Sequence, residues 1–273
     1  MINIRASMLP SYQDCPRRSA AGQFREIITS TGYTLNQRPQ IVGIAVGQGL
    51  HAGVKLQAET FISSGSWGSI DDAIESGIDR YHQDIKDGVL FDNNTVSSNE
   101  AEKQIITQVK SFVYEVTPRI KPVQSERKYY SVSDKEFEFS GSPDLIDVAD
   151  IIDDIKGGAR SRLYHGEMGG YILLRQANDL VKTKGVRIWH MPRVSTKKSY
   201  PGASLHEYDV KLCILSASYT ISQIKSNVRS FLKTKSSWAF PANPLSMMCS
   251  DKYCTAYGTD FCEFNNKECK VLC

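Results

Sequence analysis

The stretch from Lys128 to Lys156 constrains this chain more than any other. Lys128-Tyr-Tyr-Ser-Val-Ser, Glu136-Phe-Glu-Phe-Ser and Asp150-Ile-Ile-Asp-Asp-Ile-Lys are short runs rich in aromatic and β-branched residues, the signature of strands. They read as three consecutive strands with turns at about 132–135 and 148–149. Helical patterns lie on either side. Residues 19–30 read as a short helix ended by Gly32. Residues 41–62 read as a helix that Gly43, Gly47, Gly49 and Gly53 weaken. Ser69, followed by acidic residues in the first turn, starts a helix over 69–86. Asn99-Glu-Ala-Glu starts another, with Ile105, Ile106, Val109, Phe112 and Val113 as its apolar stripe until Pro118. Residues 161–181 return to helix, strands follow at about 186–191 and 207–215, and a helix at about 219–234. This order predicts an α/β or α+β domain with a central sheet.

Size and composition fit that expectation. The 273 residues suffice for one large domain or two small ones, and 41% apolar with 23% charged residues is the mix of a soluble globular protein. A net charge of +3 is compatible with a nucleic-acid partner without establishing one. No apolar run approaches membrane-spanning length, and Met1-Ile-Asn-Ile-Arg-Ala-Ser lacks the apolar stretch of a secretory signal. A cytoplasmic, reducing setting is therefore expected. In that setting, five cysteines in the last 25 residues and one at Cys15 point to metal rather than disulfides. Cys213, in the alternating run Val-Lys-Leu-Cys-Ile-Leu, reads as a core residue on a half-buried strand.

The chemistry concentrates in the middle strands. Side chains alternate along a strand, so Asp154 and Lys156 share one face while Asp153 and Ile155 take the other. Asp144 lies one strand earlier, past a Gly-Ser-Pro bend, and a tight connection at Val148-Ala149 brings the two strands side by side. Two carboxylates suit Mg²⁺ or Mn²⁺, and a lysine beside them can orient water and offset phosphate charge. An isolated Asp-x-Lys is equally what a solvated strand face looks like.

Five motifs in order change that balance. Ser11-Tyr-Gln-Asp-Cys15-Pro-Arg-Arg, Gly47-Gln-Gly-Leu-His51, Gly141-Ser-Pro-Asp144, Ile151-Ile-Asp-Asp154-Ile-Lys156 and Cys249-x4-Cys254-x7-Cys262 together resemble the PD-(D/E)XK nuclease superfamily. The likeness is to its RecB-like branch with an iron–sulfur cluster, which includes CRISPR-associated exonucleases and related phage proteins.

The resemblance implies a central mixed β-sheet flanked by helices, with a nuclease core over 41–239 and a helical insertion at about 65–120. It also implies a cysteine region formed by 1–40 and 240–273 joined in space. Asp144, Asp154 and Lys156, with Glu167 and Tyr171 of the following helix, would be catalytic, and His51, Asp144 and Asp154 would hold Mg²⁺ or Mn²⁺. For His51 the alternative is a buried packing histidine. Cys15, Cys249, Cys254 and Cys262 would hold a [4Fe–4S] cluster; zinc is the competitor, because sulfur-only ligation suits both. Cys269 and Cys273 lie beyond the set, as tail residues or with one replacing Cys262. Glu126 matches an upstream acidic position, and reads equally as an exposed strand-edge carboxylate.

One departure stands out. Where the family carries Gln-x-x-x-Tyr, this chain has Glu167-Met-Gly-Gly-Tyr171. Both residues fall on one helix face, and the glutamate adds an anion beside the metals. Gly169 and Gly170 allow close backbone approach to DNA or to the sheet, or serve simple packing. Arg17-Arg18, Arg193 with Lys197-Lys198, and Lys225, Arg229, Lys233 and Lys235 are candidate phosphate contacts, with Tyr200 a candidate stacking residue. The implied activity is exonuclease action on single-stranded DNA ends in recombination, repair or replication. A homo-oligomer or recombination and replication proteins are the implied partners. The alternative is a DNA-binding or assembly protein that keeps the fold and cluster without cleavage.

Overall fold

The computed structural model describes residues 1–132, 134–159 and 163–264. The chain opens with strand β1 (Ile2–Arg5) and three short helices, α1 (Leu9–Asp14), α2 (Pro16–Gln23) and α3 (Arg25–Thr29). The two-residue strand β2 (Gln40–Ile41) leads into the long helix α4 (Val42–Ser64), then α5 (Ile70–Asp84), β3 (Val89–Leu90) and α6 (Ser98–Ser111). Strands β4 (Pro122–Ser125), β5 (Tyr129–Val132), β6 (Phe137–Gly141), β7 (Leu145–Asp147) and β8 (Ile151–Lys156) follow. Helix α7 (His165–Asp179), β9 (Gly185–His190), β10 (Ser204–Tyr208) and helix α8 (Val210–Thr234) complete the core.

The central sheet has five strands in the order β10-β9-β8-β7-β4. β4 pairs antiparallel with β7 and β7 with β8, β9 returns parallel to β8 after α7, and β10 is antiparallel to β9. The sheet is mixed, and helices cover both of its faces. Ile146, Ile152, Val186 and Ile188 belong to one core with Met168, Ile172 and Leu174 of α7 and Ala217 and Ile224 of α8. Leu145, Ile155 and Trp189 belong to the other, with Val46, Leu50 and Val54 of α4 and Ile105 and Val109 of α6. The strand period of two thus sends alternate residues of β8 into different cores.

Several sequence expectations hold. The helix read at 41–62 is α4, and its glycines serve packing: a Cβ at Gly49 would meet Gly77 O, and one at Gly53 would meet Ala73 O. Losing those side chains lets α4 and α5 approach backbone to backbone, which offsets the helix-weakening cost of glycine. Ser69 caps α5 by accepting from the N–H groups of Asp71 and Asp72, as its position predicts.

Other expectations are corrected. The three strands read at 128–156 are four, in two sheets. β5 and β6 form a second sheet with β1, whereas β7 and β8 belong to the central one. The Gly141-Ser-Pro bend separates them, because Pro143 donates no ladder bond and restricts the residue before it. β4 was not foreseen; it is a short edge strand opening on proline, with little apolar pattern. Cys213 is fully buried, as expected of a core residue, but it lies in the first turns of α8 and not on a strand. Asp209 caps that helix by accepting from Leu212 N, which ends the strand-like run. Ser97 caps α6 through Glu100 N, two residues before the expected start.

Candidate functional site

The geometry starts from the β7–β8 hairpin. Asp147 Oδ1 accepts from Ala149 N, and Asp150 takes a left-handed φ of 63° to close the turn. Leu145 then pairs with Asp153 and Ile146 with Ile152. Asp144 stands just ahead of β7, and its Oδ2 accepts from Ile155 N at 2.6 Å. That bond fixes Asp144 against the strand that carries Asp154 and Lys156.

Three other elements converge there. His51 of α4 places Nδ1 3.2 Å from Asp144 Oδ1. Glu126 follows β4, with its N–H donating to Asp144 O at 2.9 Å and a φ of 43°. The left-handed backbone is unusual for glutamate and is held at the site by that bond. One ligand atom each from His51, Glu126 and Asp144 lies within 4.8 Å of the others, a group able to hold a metal ion. Glu126 Oε2 also meets Lys55 Nζ at 3.1 Å. Glu126 thus pairs with Lys55, and His51 with Asp144.

Asp154 is brought beside this group but engages Lys156, with Oδ2 2.6 Å from Nζ. Lys156 Nζ also reaches Glu167 Oε1 of α7 at 3.2 Å, the same oxygen that accepts from Tyr171 OH at 3.2 Å. Glu167 and Tyr171 do share a helix face toward the site. The lysine also lies 5.0 Å from the Tyr164 ring centroid.

Charge distribution separates these groups. Burial opposes ionisation of Asp144, but His51, Lys156 and the Ile155 N–H outweigh it and lower its pKa. Burial also opposes the charge on His51, and Asp144 outweighs it, so its pKa is raised. Asp154 goes the other way: burial, helped by Asp144 and Glu167, raises its pKa well above the carboxylate range despite Lys156. For Lys156, burial is outweighed by Asp154, Glu167 and Asp144, and its pKa rises. Burial and Glu167 likewise raise Tyr171.

Cys15, Cys249, Cys254 and Cys262 line one small cavity together with Arg18 and Phe264. Burial pushes the Cys254 thiol up to about 11, with the other three cysteines adding to the shift. Chain segments from both termini hold the cavity together. Asn243 N donates to Cys15 Sγ, Asn243 Nδ2 to Asp14 O, Arg38 to Cys254 O, and Asn36 N to Thr255 O. Cys269 and Cys273 lie outside the described residues.

The expected phosphate contacts fare less well. Arg17 is buried, with Nε donating to Phe240 O and its guanidinium 5.1 Å from the Trp238 ring. Arg193 is buried in an ion pair with Asp92 at 2.6 Å. Arg18 pairs with Asp14, Lys225 with Asp134 and Arg229 with Glu136. Tyr200 is half-buried, with its hydroxyl enclosed. Gly169 and Gly170 serve packing: a Cβ at Gly169 has no room against Cys213 O of α8, and one at Gly170 would meet Ala6 and Phe139. Sequence reasoning passed over Lys55; its spacing of four from His51 on one helix was the available signal.

No protein-family model matches the chain, and no curated protein matches it. Solved structures similar to it include a candidate exonuclease from Eubacterium rectale, 12% identical, covering 91% of this chain and 87% of that one with a TM-score of 0.49. LHK-Exo in complex with dAMP is 11% identical over 69% of this chain and 95% of that one, with a TM-score of 0.30.

Proposed function

We propose that this chain is a metal-dependent deoxyribonuclease of the PD-(D/E)XK type that acts on single-stranded DNA ends as an exonuclease. The observation that carries the reading is the convergence of His51, Glu126 and Asp144 beside the Asp154–Lys156 pair. The preference for DNA, for single-stranded ends and for a role in recombination, repair or replication rests on the sequence resemblance.

The donor set fits a hard divalent cation. Two carboxylates and one neutral imidazole suit Mg²⁺ or Mn²⁺. The charge balance points the same way. Glu126, Asp144, Asp154 and Glu167 face Lys55 and Lys156, four carboxyl groups against two ammonium groups. His51, Glu126 and Asp144 would hold the cation, and Asp154 would turn toward it from Lys156. Bound there, it supplies Lewis-acid polarisation of the scissile phosphate and a more acidic water.

The chain's own groups do the rest. Lys156 keeps its proton at neutral pH because its pKa is raised. It therefore acts as a fixed positive donor to a phosphate oxygen, not as a base. Glu167, held by Tyr171, fixes where that ammonium stands. Asp144, anchored by Ile155 N–H, keeps its charge at low pH and orients His51.

We also assign Cys15, Cys249, Cys254 and Cys262 to an iron–sulfur cluster that ties the chain's two ends together. Their shared cavity supports a common metal group, and zinc is the competitor because sulfur-only ligation suits both.

The test is anaerobic purification, an absorption spectrum and an assay on end-labelled single-stranded DNA with and without Mn²⁺. A brown protein that releases nucleotides only with Mn²⁺, and loses this activity as Lys156→Ala, is expected. Unchanged cleavage by Lys156→Ala would remove the mechanism. A colourless, zinc-loaded and active protein would keep the nuclease and replace the cluster.

A further inference from the structure

The long helix α4 carries two residues toward the candidate metal group, not one. His51 and Lys55 are four apart and so lie on one helix face. His51 meets Asp144, and Lys55 Nζ lies 3.1 Å from Glu126 Oε2. The other ion-pair contact of Lys55 is Glu59 at 4.0 Å, along the same helix. Its side chain is 45% exposed, so the ammonium stays at the solvent-facing mouth of the site. Lys156, by contrast, is held between Asp154 and Glu167 and is mostly buried. The two lysines therefore differ in freedom: one is clamped in a mostly buried place, the other is half-exposed on a flexible stem with one close carboxylate, Glu126, and a longer contact to Glu59.

That carboxylate is the point of interest. Glu126 Oε2 cannot serve Lys55 and a divalent cation equally well, since both compete for the same negative charge. A compact, strongly hydrated ammonium on four methylenes gives up such a surface contact at little cost, because exposed ion pairs are weak. Once released from Glu126, it keeps the longer contact to Glu59 and stands beside the metal group with its charge turned to solvent, at the side from which an anionic strand would enter.

We propose that Lys55 is a substrate-binding residue of this site. It holds Glu126 while the metal position is open and turns to a backbone phosphate of the bound strand when the cation takes that carboxylate. This rests on the nuclease reading above. It adds a second lysine, with a role in holding the strand distinct from that of Lys156 in the chemistry.

The variants Lys55→Met, which keeps the stem, and Lys55→Arg, which keeps the charge, test this in the full-length protein. Three quantities are read: Mn²⁺ affinity by calorimetry, affinity for single-stranded DNA in Ca²⁺ across a salt series, and the split of cleavage between KM and kcat. Lys55→Met is expected to bind Mn²⁺ as tightly as wild type or more tightly, because Glu126 loses its competitor. Its DNA affinity should fall about tenfold, with the loss of cleavage carried by KM. One phosphate contact removed should lower the salt slope of single-strand binding by about 0.7. Lys55→Arg should restore most of the affinity. Weaker Mn²⁺ binding with an unchanged salt slope would overturn the proposal and make Lys55 a support for Glu126. If wild type cleaves in Mn²⁺ and Lys55→Met matches it in every readout, the proposal alone fails. A wild type that neither binds Mn²⁺ nor cleaves DNA would sink this proposal together with the nuclease reading.

Discussion

Asp153 and Asp154 are chain neighbours on one buried strand, and they live in opposite electrostatic worlds. Asp153 points into the α4 side of the sheet. Both its oxygens accept from Arg187, at 2.7 and 2.8 Å, and Trp189 Nε1 donates a third bond at 2.7 Å. Asp154 points to the α7 side, where its one cation, Lys156, is shared with Glu167 while Asp144 and Glu167 repel it. Burial raises the pKa of both; Arg187 and Trp189 oppose the rise at Asp153, whereas Asp144 and Glu167 add to it at Asp154. A satisfied buried carboxylate contributes to architecture. A buried carboxylate crowded by others costs stability, and such a cost is characteristic of positions kept for chemistry.

The comparison breaks most visibly under a like-for-like substitution. Asp154→Asn is expected to abolish Mn²⁺-dependent cleavage, by about 10³-fold or more, as loss of a central electrostatic group does. The metal-free variant should nevertheless melt at the same temperature as wild type or higher. The sign follows from linkage. The folded pKa of Asp154 lies above its unfolded value of about 3.9, so its contribution falls as pH rises from there through the folded pKa. A neutral amide removes that cost at pH 7. A scan showing the variant clearly less stable than wild type would mean that Asp154 is structural after all.

Asp153→Asn should show the inverse profile. It leaves Arg187, which also lies 3.7 Å from Asp147, without its main partner in a largely enclosed place. Removing one member of a buried pair costs roughly 3–5 kcal/mol, and denaturant unfolding would register that loss. Cleavage per folded molecule should persist, because Asp153 faces away from the candidate site. Loss of cleavage with stability intact would contradict the two-face division.

How far this division was legible in the sequence depends on which contacts are local. The alternation of β8 gives the opposite facing of Asp153 and Asp154 directly, and the Val148-Ala149 turn gives the approach of Asp144. Ser69 and α4 were equally readable, since a cap and a helix span are set by neighbours in the chain. Charge alone leaves Arg17 and Arg193 as candidates for a phosphate or for solvent, and their burial against Trp238 and Asp92 is not legible because those partners are far away in sequence. Cys213 was placed on a strand because six residues of alternation cannot show the helix that continues beyond them. Glu126 stayed balanced between two roles for a related reason: its left-handed backbone and its approach to His51 arise only when β4 meets β7 and α4.

The smallest expected effect lies at the one residue that departs from the resembled pattern. Glu167 Oε1 accepts from both Lys156 and Tyr171, and a glutamine oxygen in the same place could accept both bonds. Glu167→Gln therefore keeps the geometry and removes only charge. Burial is the first cause of the raised pKa of Asp154, and Glu167 adds to it. Without that anion the Asp154 carboxyl ionises at lower pH, and the acidic limb of the pH–rate profile should move down. Lys156, less tightly held, should serve an incoming phosphate better. A gain in kcat/KM of about threefold is expected, equivalent to roughly 0.6 kcal/mol. If Glu167→Gln instead lowers both the rate and the affinity for Mn²⁺, Glu167 is a cation ligand, and the contrast between the two faces of β8 extends to the helix that covers it.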